Sequence, residues 1–152
     1  MKSILSLSSI LLFAIFFTSC TKTIEVSTPP PAYSVNGSWY VSNASYLGNN
    51  GWYSFDAGLP GVFTFYNDGT AQYEDNISTM QGNWYSNLIS TGYYDEYGNY
   101  QVDQHNDFSI SVSDNSGYVN LAFDDISFAG NNQFIATYYD GKSIQRYTFT
   151  RY

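Results

Sequence analysis

Apolar side chains recur at every second position in short runs along the chain, and Asn-, Asp- and Gly-rich pairs cut the runs apart. Phe63 and Phe65 alternate with small or polar neighbours, as do Phe108, Ile110 and Val112, then Val119, Leu121 and Phe123. Phe134, Ala136 and Tyr138 repeat the pattern, and Tyr147 and Phe149 close it. A helix turns about 100° per residue and would scatter these side chains around its surface, whereas a strand gathers them on one face. No window holds a sustained 3.6-residue apolar period. Eight strands are expected, at 38–47, 61–67, 70–75, 80–86, 107–113, 118–124, 133–139 and 143–151. In the first, Trp39, Val41 and Leu47 share one parity; in the third and fourth, Ala71 with Tyr73 and Met80 with Gly82 and Trp84 do so.

The breaks specify how the strands connect. Asn67-Asp68-Gly69, Asp114-Asn115-Ser116-Gly117, Gly130-Asn131-Asn132 and Asp140-Gly141 accept the positive φ of tight hairpins. Short connections make successive strands antiparallel, and closing the meander removes exposed edges. The expected fold is all-β: a small antiparallel up-and-down β-barrel of about eight strands. Its core has to be aromatic, because after Leu47 the chain has only Leu59, Leu88 and Leu121, against 11 Phe, 16 Tyr and 3 Trp in the whole sequence.

Two stretches fall outside the meander. Residues 48–60 form a Gly-rich loop with Trp52, Tyr53 and Phe55. Residues 87–106 are acidic and carry Tyr93, Tyr94, Tyr97 and Tyr100, with room for a hairpin turning at Tyr97-Gly98-Asn99. Long loops in a small domain often carry function. These aromatics either cap the barrel end or form a ligand-binding surface, since Tyr and Trp combine large contact area with a polar tip.

Residues 1–19 read as a leader: Lys2 is positive, Ile4 to Phe17 are apolar apart from serines, and Thr18 and Ser19 are small before Cys20, the sole Cys. The apolar core is shorter than the ~20 residues of a membrane span. The Phe-Thr-Ser-Cys ending resembles the lipobox of bacterial lipoproteins, with Phe17 where Leu is more typical. The resemblance implies a lipidated Cys20 as mature N-terminus, a membrane partner reached through the acyl anchor, and a place in the cell envelope at the outer membrane. An ordinary secretory signal or a plain membrane anchor is the alternative. Residues 20–34 form the anchor and a linker extended by Pro29, Pro30 and Pro31, and the domain spans 35–152.

Gly37-Ser38-Trp39 opens the first strand, Phe63-Thr64-Phe65-Tyr66-Asn67-Asp68-Gly69-Thr70 follows, then Gly82-Asn83-Trp84, and the chain ends in Tyr147-Thr148-Phe149-Thr150-Arg151. This order resembles the lipocalin-like domain of Bacteroidetes lipoproteins over nearly all of the mature chain. The resemblance implies a small barrel whose wider group binds small apolar molecules at the mouth. It also implies that Trp39 closes the barrel floor with Arg151 stacked on it, a structural contact.

Catalytic chemistry finds few parts. Gly141-Lys142-Ser143 lacks the upstream Gly of a phosphate loop, Ala136 standing there, and no G-x-S-x-G elbow occurs. His105 is the only His and is expected to be solvated. Asp95-Glu96, Asp103, Asp107 and Asp124-Asp125 read as a solvated acidic surface, without the loop spacing of a calcium site. Lys plus Arg number 5 against 13 Asp plus Glu, a net charge of −8, which repels a phosphate backbone. The expectation is a non-enzyme with no catalytic residues, no metal, no cofactor and no nucleic-acid partner. Its first reading is a binding module for a small apolar or amphipathic ligand. A carbohydrate or surface-glycan adhesion module and a structural accessory subunit of an envelope complex are the alternatives. A carrier needs an interior cavity of ~300 Å³ or more.

Overall fold

Aromatic and β-branched runs bounded by Asp and Asn turns give fourteen strands and no helix among the described residues. The computed structural model describes residues 34–152; the leader, Cys20 and the linker through position 33 lie outside the described residues. β1 (Gly37–Gly48) turns into β2 (Gly51–Phe55), and β3 (Val62–Phe65), β4 (Thr70–Glu74) and β5 (Thr79–Tyr85) follow. Four two-residue strands come next: β6 (Leu88–Ile89), β7 (Tyr93–Tyr94), β8 (Tyr100–Gln101) and β9 (His105–Asn106). β10 (Phe108–Ser113), β11 (Tyr118–Phe123), β12 (Asp125–Phe128), β13 (Gln133–Tyr139) and β14 (Ile144–Arg151) complete the chain.

One antiparallel sheet runs in the order β11-β10-β5-β4-β3-β1-β14-β13-β12, with β2 added on β1. The eight expected runs correspond to β1, β3, β4, β5, β10, β11, β13 and β14. The closed barrel of about eight strands needs correction, because the ladder is a path with two ends and more strands. Those ends, β11 and β12, are consecutive in the chain and separated by Asp124 alone. Asp124 redirects the backbone: its N–H donates to Thr137 O at 2.7 Å, and its carboxylate accepts the Tyr139 N–H at 2.9 Å. The segment therefore pairs with β10 before Asp124 and with β13 after it.

β1 holds a second correction. Trp39 pairs with Arg151 and Val41 with Phe149, but a register shift between Val41 and Asn43 brings Ala44 opposite Tyr147. This bulge moves Leu47 off the parity of Trp39 and Val41 and puts Tyr46 in its place.

The core is one aromatic network. Trp39, Phe63, Phe65, Phe108, Phe134 and Phe149 are all fully buried. Phe108 alone meets Phe65, Trp84, Phe123, Phe134 and Phe149 at centroid distances of 5.5 to 6.5 Å. Phe134 and Phe149 stack at 4.5 Å. Each such ring contributes roughly 1.5–3 kcal/mol by burial, and ring pairs add ~0.5–1.5 kcal/mol. Self-filling accounts for a core with little Leu.

Most of the acidic residues at the turns have a structural task. Asp68, Asp75, Asp95, Asp114 and Asp140 each accept the backbone N–H two residues on. The Ser143 and Lys142 N–H groups hold the Asp140 carboxyl down at about 2. These turns keep their ionised caps from neutral pH down through the ordinary carboxylate range.

Candidate functional site

The anticipated aromatics divide among three places. At the end where β1 starts, the Arg151 guanidinium lies 4.0 Å from the Trp39 ring centroid. Trp39 Nε1 donates to Val35 O at 2.6 Å, and its ring meets Phe134 edge-on at 4.8 Å. Arg151 Nη1 donates to Asn36 O. Gly37 has φ +110°, and a Cβ there would collide with Arg151 Nη1. The Gly-x-Trp pair thus works as a unit: the glycine leaves room for the cation that covers the tryptophan.

At the opposite end, β2 is a strand where a loop was expected, so its aromatics alternate. Tyr53 and Phe55 take the inner side, and Trp52 takes the outer. Tyr46 and Tyr53 stack at 5.6 Å and stay 40% and 43% exposed. Tyr46 meets Phe55 at 6.4 Å, Phe55 meets Tyr147 at 5.8 Å, and Tyr147 meets Phe123 at 5.3 Å. Phe123 is only 4% exposed, so an unbroken series of rings runs from solvent into the core. Tyr138 joins it against Phe123 at 6.1 Å. Burial pushes the Tyr147 hydroxyl up to about 12. Tyr46, Tyr138 and Tyr147 were not anticipated as site residues; once the bulge is placed, strand parity marks all three.

The third place is the outer face of the sheet, crossed by residues 88–106. Tyr93 stacks on His105 at 3.9 Å and donates to Asp103 Oδ1 at 2.9 Å; burial first, and that bond second, push its hydroxyl up to about 12. Tyr94 packs on Tyr100 at 5.4 Å and Tyr139 at 5.3 Å. Tyr97 and Tyr100 are exposed. Beneath them the Arg146 guanidinium covers the Trp52 ring at 4.0 Å. His105 is 5% exposed, which corrects the expectation of a solvated side chain. Trp52, Tyr93 and Tyr94 hold this crossing segment in place, so the seven loop aromatics do not form one surface.

Several cavities open at the surface of the described residues. One of about 490 Å³ opens on a polar surface lined by Gly61, Glu74, Asp75, Asn76 and Tyr152. Another, of about 200 Å³, adjoins the ring series at Ala44, Phe55, Ala57 and Leu59. Cys20 lies outside the described residues. Comparison with known proteins finds no matching family model, no matching curated protein and no matching solved structure.

Proposed function

We propose that the chain is a lipid-anchored, non-enzymatic binding module of the bacterial envelope, built as a lipocalin-like barrel in which the bent 118–128 segment joins the two ends of the sheet. Its ligand is a small apolar or amphipathic molecule that lies over the open end. The observation that supports this reading is the ring series from exposed Tyr53 through Tyr46, Phe55 and Tyr147 to buried Phe123. It offers apolar faces continuous with the core and phenolic hydroxyls at the rim. The self-filled interior favours a ligand at the rim over one enclosed in the barrel.

Native mass spectrometry of the purified mature protein tests it. A co-purifying small molecule is expected, with its occupancy falling at least about tenfold in the Tyr46→Ala/Tyr53→Ala variant, since each lost stacking contact is worth ~0.5–1.5 kcal/mol. Undiminished occupancy in that variant overturns the reading. The anchor has its own test: Cys20→Ala is expected to move the protein from the membrane pellet to the soluble fraction, because acyl burial contributes ~0.8 kcal/mol per CH₂. A variant that still pellets overturns the anchor.

A second reading, adhesion to carbohydrate, draws on the outer face, where Tyr94, Tyr100 and Tyr139 cluster and the last two are exposed. Glycan binding that disappears with Tyr100→Ala and Tyr139→Ala, while Tyr46→Ala/Tyr53→Ala leaves it intact, would favour this reading over the first.

A further inference from the structure

The buried polar side chains of the described residues are Ser45, His105, Asp125 and Thr137, and all four belong to one layer on the outer face of the sheet. Asp125 pairs across the ladder with Thr137, Thr137 with Arg146, and Arg146 with Ser45. Residues 88–106 lie over this row. They leave and return at one point, where Asn87 N–H donates to Asp107 Oδ1 at 2.7 Å and Asp107 N–H donates to Asn87 O at 3.0 Å.

Polar contacts hold the segment down. Thr137 Oγ1 donates to Tyr94 O at 2.7 Å. Arg146 donates to Glu96 O at 2.9 Å and to Ser45 Oγ at 3.0 Å. Apolar contact is limited to the ring of Tyr94 on Tyr139 at 5.3 Å and to the turn at Gly98, which lies against Leu47. His105 is bonded through Nδ1 to Asp103 O at 3.1 Å, while its Nε2 is buried with no hydrogen-bond partner. Asp125 is 6% exposed. Elements with few apolar contacts open at low free energy, and a buried pair of titratable groups makes that opening depend on protons.

We propose that residues 88–106 form a hinged strap that buries Asp125 and its own His105 against the sheet at mildly acid pH and is released as pH rises, uncovering Trp52 and Arg146. This goes beyond the ligand-binding reading and does not depend on it. The sign follows from the groups around Asp125. Burial pushes its carboxyl up to about 6; His105 opposes the shift, and Glu96 and Asp103 reinforce it. Tyr93 and Asp95 face the same layer from the strap, and Asp124 and Arg146 flank it on the sheet. The docked state therefore holds a proton that the free strap gives up. Its contribution is complete below the ordinary carboxylate range and is lost as pH rises through about 6. The turn aspartates respond only at lower pH, so the strap moves alone between pH ~5 and ~7.5.

Amide hydrogen exchange of the mature protein, corrected for intrinsic rates, tests this. Peptides within 88–106 are expected to open roughly tenfold more at pH ~7.5 than at pH ~5, with β1 and β14 unchanged. Asp125→Asn should abolish the slope. His105→Gln removes the group that opposes proton uptake, so it should move the opening midpoint to higher pH. A flat wild-type profile, an unchanged slope in Asp125→Asn, or an unmoved midpoint in His105→Gln overturns the proposal. Should Asp125→Asn fail to fold, the wild-type profile and His105→Gln still decide it.

Discussion

Trp39→Ala is expected to lower the unfolding free energy by about 3–5 kcal/mol, the range for removing a fully buried aromatic ring. Trp39 has no exposed surface and sits where β1, β3 and β14 meet. The substitution removes the edge contact with Phe134, the cover for Arg151 and the Nε1–H bond to Val35 O together. Val35 is itself buried, so its carbonyl loses a partner where water enters poorly. Arg151→Met separates the contributions. It keeps a long side chain over the ring but deletes the charge and the Nη1 bond to Asn36 O, and it is expected to cost about 1–3 kcal/mol, the scale of a cation–π contact with one charged hydrogen bond. Urea unfolding at unchanged m measures both. A Trp39→Ala loss below about 1 kcal/mol would mean that this end of the sheet is held by something other than the tryptophan.

The strands were legible wherever one face is buried and the other is not. Phe108, Ile110 and Val112 sit at alternate positions because the sheet has an inside, and all three are buried. The bulge was not legible, because Ser42 and Asn43 are both polar and a parity count cannot detect an added residue. It is what carries Tyr46 into the ring series. β12 was hidden for another reason: Asp124-Asp125 reads as solvated acidic surface, yet one carboxylate caps the Tyr139 N–H and the other is buried under the strap. The outer layer was the least legible part. Thr137 and Arg146 occupy solvent parity and have the polarity that parity predicts, and the bulge brings Ser45 to the same face. Only the 88–106 segment folding back over them makes them interior. The loop aromatics stand out in the sequence, but alternation on β2 sends Trp52 and Tyr53 to opposite faces, which a loop assignment cannot anticipate.

The second Gly-x-Trp pair leads to a different kind of test, because Gly82 is required for space and not for its backbone angle. It lies opposite Val112 on β10 and Ala71 on β4, in mid-strand. A methyl group there would collide with the Ser111 carbonyl oxygen and stand 2.9 Å from Val112 Cα. Both are backbone atoms in a paired ladder, so no side-chain rotation relieves the contact. β5 and β10 would have to separate at the one ladder joining the β3–β4–β5 meander to the β10–β11 hairpin. Trp84, two residues on, would move with them and loosen its contacts with Phe65 and Phe108. Overpacking alone costs about 1–3 kcal/mol, and lost ladder bonds add to it, so Gly82→Ala is expected to cost about 3 kcal/mol or more. Gly130→Ala is the control: its φ is +81° but nothing lies within 4 Å, so its cost is conformational, about 1 kcal/mol. If thermal unfolding ranks the two variants equally, β5 and β10 have room to accept a side chain, and the close approach of the two strands does not hold the halves of the sheet together.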